Sequence, residues 1–187
     1  MVAGVGSLVA AALVLLIVLV GGGESDYPEA SYSVQSAAME PGYEEGEEIE
    51  IDSSAYEQAE PELGDIVVYH PPRGAGVGDG VCEVEPPPGS PCPEAVHATD
   101  DGADFLGRVV ATPGQQVAIR DGLPIVDGEK LFGEEMIPCE APECDLPNPV
   151  EVSEAHYFLM GNDSAVSTDS RTWGPVWGEK IVARATE

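Results

Sequence analysis

Positive charge is what this 187-residue sequence has least of. Lys and Arg number 7 against 35 Asp and Glu, a formal net charge of −28. No Lys or Arg precedes Arg73, and the only lysines are Lys130 and Lys180. Nucleic-acid binding through phosphate contacts needs a basic face, so that class is excluded. Electrostatic docking on an anionic leaflet is disfavoured for the same reason. No Asp-x-Asp-x-Asp-Gly loop of the EF-hand type occurs, so the acidity reads as a solvated surface suited to high salt rather than a cation site. After residue 21 no segment sustains a 3.6-residue apolar period, which argues against a helical bundle. Cys-x-x-Cys is missing too, and with it the usual zinc signature. Neither a metal nor a cofactor is expected.

What is present points to a turn-rich β protein. Hydrophobic residues make up 43% of the chain, enough for a core, and 22 Gly with 17 Pro punctuate it. Short apolar runs lie between turn signals: Ile49–Ile51, Ile66–Tyr69, Phe105–Ala111, Val117–Ile119, Leu123–Val126, His156–Met160 and Ile181–Ala185. Asp121-Gly122 between two of these runs is a hairpin signal. The expected fold is mostly β, an antiparallel domain behind one N-terminal transmembrane helix.

Residues 2–20 are uncharged and almost wholly apolar. As a helix they span about 28 Å, close to the bilayer core. Gly21-Gly22-Gly23 break the run before Glu24 and Asp26. Two readings stay open, a permanent anchor and a cleavable secretory signal, and the length of the run favours the anchor. Both send the rest of the chain out of the cytoplasm, and the favoured anchor makes it a single-pass protein of the cell membrane. The organisation expected is an anchor over 1–23, a linker over 24–35 and one domain over 36–187. Segments 74–103 and 129–150, rich in Gly, Pro and acid, read as surface insertions. Each holds two cysteines, Cys82 with Cys92 and Cys139 with Cys144. Four cysteines allow three pairings. The local pairs are the simplest, each closing a short loop for about 2–3 kcal/mol.

Four boxes recur in order: Ser36-Ala37-Ala38-Met39-Glu40-Pro41; Gly64-Asp65-Ile66-Val67-Val68-Tyr69; Gly107-Arg108-Val109-Val110-Ala111-Thr112-Pro113-Gly114; and Gly161-Asn162-Asp163 with Ser167-Thr168-Asp169-Ser170-Arg171-Thr172-Trp173-Gly174. The ordered set resembles the bacterial type I signal peptidases, or leader peptidases. The resemblance implies a membrane-anchored serine endopeptidase that removes signal peptides from secreted preproteins. It implies a Ser/Lys dyad, in which serine attacks the scissile carbonyl and a neutral, desolvated lysine takes its proton.

The resemblance places the nucleophile at Ala38 and the general base at Gly107, 69 residues apart. A methyl group cannot attack a carbonyl, and glycine has no group to accept a proton. The catalytic pair is therefore not intact. Ser36 matches the family serine whose hydroxyl helps bind the oxyanion; an ordinary turn serine is the alternative. Met39, Pro41 and Arg108 mark the substrate cleft. Asp163, Ser167, Asp169, Ser170 and Arg171 are expected to support the site, although the family's Gly-Asp-Asn is Gly161-Asn162-Asp163 here. His70, His97 and His156 are the only histidines, none stands at 107, and His70 and His156 read as structural. Trp173 and Trp177 read as core or membrane-interface residues. The expectation is an extracytoplasmic signal peptidase homologue without its chemistry, with the membrane through 2–20 and signal peptides or other extended peptides as partners. An active peptidase with relocated groups and an acidic partner-binding domain are the alternatives.

Overall fold

The computed structural model describes residues 31–75, 82, 84–93 and 102–186. The apolar run 2–20 and His97 lie outside them, and among the described residues no helix is long and apolar enough to cross a membrane. Among the described residues eleven strands follow in order. They are β1 (Ser31–Ser33), β2 (Glu48–Asp52), β3 (Ile66–Tyr69), β4 (Phe105–Ala111), β5 (Gln116–Arg120), β6 (Leu123–Val126), β7 (Glu129–Lys130), β8 (Leu146–Glu151), β9 (His156–Met160), β10 (Val176–Trp177) and β11 (Ile181–Ala185). The one α-helix among the described residues, α1 (Ser170–Trp173), is a single turn.

The strands form two sheets, a seven-stranded one ordered β1-β2-β11-β3-β4-β9-β10 and a four-stranded one ordered β7-β6-β5-β8. Every pairing between these strands is antiparallel, and one isolated parallel bridge joins Ile137 to Asp163. Hydrophobic alternation sets the faces. On β3, Val67 and Tyr69 join a core around Trp173, while Val68 joins Met39, Leu106 and Ala183 on the other face. A register shift between Val109 and Ala111 lets β4 turn Val110 and Ala111 toward the small sheet. There they pack with Val117, Ile119, Leu123, Val126, Leu146, Phe158 and Met160.

Two boundaries differ from the sequence reading. Ser31–Ser33, inside the expected linker, already pairs with β2. The segment 129–150 carries β7 and most of β8, and its Met136 and Leu146 are buried in the second core. Alternation failed to reveal β8 because Pro147 and Pro149 punctuate it. Its position at the outer edge of the small sheet tolerates proline. Both local disulfides are present, Cys82–Cys92 and Cys139–Cys144.

The hairpin between β5 and β6 follows its signal. Asp121 and Gly122 take φ of 52° and 73° there. The left-handed region suits Asp and Gly at such a turn.

Candidate functional site

The first box folds into a 3₁₀ turn, Ala37–Met39, immediately after Val34 enters the core. Ser36 caps it: Ala38 N donates to Ser36 Oγ at 3.4 Å. Met39, 1% exposed, anchors the turn between Leu106 and Val68. The last box holds the turn from the other side. Asp163 N donates to the Ala38 carbonyl at 3.0 Å, and Asn162 Nδ2 donates to the Met39 carbonyl at 3.1 Å. Asn162 Oδ1 in turn accepts from Arg108 Nε at 3.0 Å. One buried amide thus ties the first box to the third.

A cavity of about 320 Å³ opens beside this turn. Ser36, Ala38 and Met39 form one wall, Tyr69 and Phe105–Leu106 another, and Val166–Thr168 a third. Ala38 thus stands in the cavity wall. Gly107 does not itself line the cavity. It is paired with Val67 on β3, and a Cβ built on it would lie 3.1 Å from Tyr69 Cε1 and 3.7 Å from Leu159 Cβ. The Tyr69 ring thus touches both Gly107 and the cavity. Gly161 brings the two walls close, because a Cβ there would lie 2.6 Å from the Ala38 carbonyl and collide with Ser167. Only glycine permits that approach.

Asp169 organises the floor. It is 1% exposed and accepts from Gly161 N (3.1 Å), Ser167 Oγ (2.8 Å) and Arg171 Nε (2.8 Å). Arg171 also donates to the Ser164 and Ser167 carbonyls. Burial opposes the charge of Arg171, but Asp169 prevails and holds its guanidinium above the ordinary value. Ser170, fully buried, accepts from Leu159 N at 3.0 Å, and Asp163 Oδ1 accepts from Ala165 N at 2.9 Å.

Other residues lie elsewhere. Arg108 sits behind the cleft, its guanidinium 5.6 Å from the centre of the Phe132 ring. Burial lowers its pKa, against the pull of Glu135 and Tyr43. Pro41 is exposed and outside the cavity wall. His70 Nδ1 lies 2.6 Å from Asp104 Oδ1, and His156 Nδ1 donates to the Glu154 carbonyl at 2.8 Å. Among the described residues no histidine or lysine lines the cavity. Trp173 is fully buried, whereas Trp177 is 41% exposed and stacks on His156 at 3.9 Å.

Tyr69, Asn162 and Asp104 are the site residues that sequence reasoning missed. Tyr69 reads there as a plain strand residue, because only the register with β4 sets it over Gly107. Asn162 is visible as a swap in Gly161-Asn162-Asp163, but its bridge spans 123 residues and has no local signal.

The profile of the family described as "Signal peptidase, peptidase S26" matches residues 5–187. The probable signal peptidase I-1 of Synechocystis sp. is 30% identical over 152 residues, covering 81% of this chain and 66% of that protein. The thylakoidal processing peptidase 1, chloroplastic, of Arabidopsis thaliana is 28% identical over 153 residues, 82% of this chain and 39% of that protein. The chain thus spans about two thirds or less of the length of these two relatives. A solved signal peptidase I from Enterococcus faecalis V583 is similar at a TM-score of 0.45 and 19% identity, over 68% of this chain and 98% of that one. With the family profile spanning nearly the whole sequence, the chain belongs to the type I signal peptidase family, peptidase S26.

Proposed function

We propose that this chain is a signal peptidase homologue that keeps the peptide cleft and has lost the Ser/Lys chemistry. One observation carries this reading. Ala38 stands in the cavity wall and Gly107 packs against Tyr69, at the two positions where the resemblance would put the nucleophile and the base. The serine hydroxyls nearby are engaged or solvent-exposed. Ser36 Oγ caps the turn, and Ser167 Oγ donates to Asp169 at 2.8 Å. Neither has an amine or imidazole of the described residues beside it in the cavity. Without a base, a serine hydroxyl is a weak nucleophile. The residual groups supply binding and oxyanion contacts alone, which leave a small fraction of catalysis.

The apolar run 2–20 anchors the protein in the cell membrane, with the β domain on the extracytoplasmic side. The disulfides Cys82–Cys92 and Cys139–Cys144 suit that oxidising compartment. The cleft binds signal peptides or similar extended peptides without cutting them. A serine-reactive acylating probe tests the reading by intact mass. The expected result is no adduct on the full chain and one adduct on an Ala38→Ser/Gly107→Lys variant. A stoichiometric adduct on Ser36 or Ser167 of the unaltered chain would overturn it in favour of an active peptidase with relocated groups.

A further inference from the structure

Tyr69 is only 2% exposed, yet its side chain helps line the 320 Å³ cavity. Its ring is accounted for by packing: Phe105 meets it edge-on at 6.1 Å, and Gly107 leaves room for Cε1. Its hydroxyl is not accounted for. Among the described residues it makes no hydrogen bond, and it is not a sealed-off polar atom, a state that Trp173 Nε1 alone has among them, so it opens onto the cavity that Tyr69 lines; a phenol so placed ordinarily finds a partner there. The polar neighbours are committed elsewhere. Tyr32 donates to the Asp104 carbonyl at 2.8 Å, Gln35 Nε2 to the Ser33 carbonyl at 2.6 Å and Ser167 to Asp169 at 2.8 Å. Ser36 and Thr168 are exposed and have water to satisfy them.

We infer that the Tyr69 hydroxyl is a ligand-binding donor, and that its partner is a main-chain carbonyl of a peptide lying in the cavity. The chemistry of the walls selects that class. Val34, Met39, Phe105 and Leu106 suit small apolar side chains. Asp104 is the one charged residue among the lining residues, so an anionic ligand finds repulsion and no cation. A neutral acceptor beside apolar groups remains, which describes a peptide backbone with small side chains. β1 supports it, being the edge of the large sheet and supplying Tyr32 to the same cavity. Burial, with Asp169 and Tyr32 nearby, holds the Tyr69 phenol well above its ordinary pKa, so the donor keeps its proton across neutral and mildly alkaline pH.

This inference rests on the proposed reading of the cavity as a peptide cleft, and one set of titrations separates the two. A fluorescein-labelled peptide carrying the small-residue end of a signal sequence is titrated into the full chain in detergent. Tyr69→Phe keeps the ring over Gly107 and removes only the O–H. The expected result is binding about three- to tenfold weaker than that of the unaltered chain, the range of one neutral hydrogen bond. Equal affinity overturns the role of Tyr69 and leaves the cleft standing. No binding by the unaltered chain overturns both. Cleavage of the peptide overturns the proposed loss of chemistry alone, and the Tyr69→Phe comparison still decides the donor. Carbon-13 labelling of the tyrosine ζ position gives a readout that needs no variant. Peptide addition shifts the Tyr69 resonance if the hydroxyl donates, and an unmoved resonance at saturation overturns the inference.

Discussion

Tyr69 covers Gly107, its Cε1 lying 3.1 Å from where the first side-chain carbon of residue 107 would stand. That distance is tighter than nearly all real contacts of such a carbon. A side chain at 107 therefore has to displace the ring. Gly107→Ala is expected to destabilise the domain by about 1–3 kcal/mol, the range for overpacking a filled core. In a Tyr69→Leu background the same change is expected to cost less, because the neighbour is gone. Urea unfolding of the four proteins measures the coupling. Equal effects in both backgrounds would mean that the ring yields freely.

Asp169 carries the floor of the cleft and is nearly fully buried. Asp169→Asn keeps the shape and removes the charge that faces Arg171. Breaking a buried pair on one side leaves an uncompensated ion, at about 3–5 kcal/mol. Chemical denaturation is expected to show a loss in that range. A loss below about 1 kcal/mol, the scale of surface pairs, would mean that Arg171 finds solvent instead.

The alkaline limb of stability follows from the tyrosines. Burial, and then the nearby Asp104, raise Tyr32 to about 12 from 10.0. Burial first, with Asp65 next, raises Tyr56, and burial with Glu60 raises Tyr157. The folded state keeps protons that the unfolded chain releases. This contribution is whole below pH 10.0 and is lost as pH rises through about 12. Tyrosinate absorbance is expected to appear at higher pH in the native chain than in denaturant, with the unfolding midpoint falling over the same interval. Coincident titration curves would contradict the burial of these phenols.

Much of the fold was legible because local rules agreed with the tertiary outcome. Ile66–Tyr69 and Phe105–Ala111 are strands in the sequence and in the structure, and Asp121-Gly122 turns the chain between two others. The disulfides are the local pairs, the simplest of the three pairings that the sequence left open. What escaped depends on distant partners. β8 holds two prolines and takes its place only by pairing with β5. Arg108 sits in a catalytic box but is drawn behind the cleft by Asn162, 54 residues away. That Ala38 and Gly107 fall at the dyad positions is what the resemblance implies, whereas the contact of Tyr69 with Gly107 needed the pairing of β3 with β4.

The net charge of −28 predicts a salt response. Like charges on one surface repel, and salt screens them, with a Debye length of about 10 Å at 0.1 M and about 3 Å at 1 M. The thermal midpoint is expected to rise as sodium chloride increases over that range. A midpoint that falls with salt would mean that ion pairs such as Asp169–Arg171 outweigh the surface repulsion.

Cleavage of a preprotein by the purified full chain is the most direct measurement. The unaltered chain is expected to give no product above the uncatalysed background, while Ala38→Ser/Gly107→Lys gives measurable cutting at the signal-peptide junction. Turnover by the unaltered chain, abolished by Ser36→Ala, would contradict the loss of chemistry.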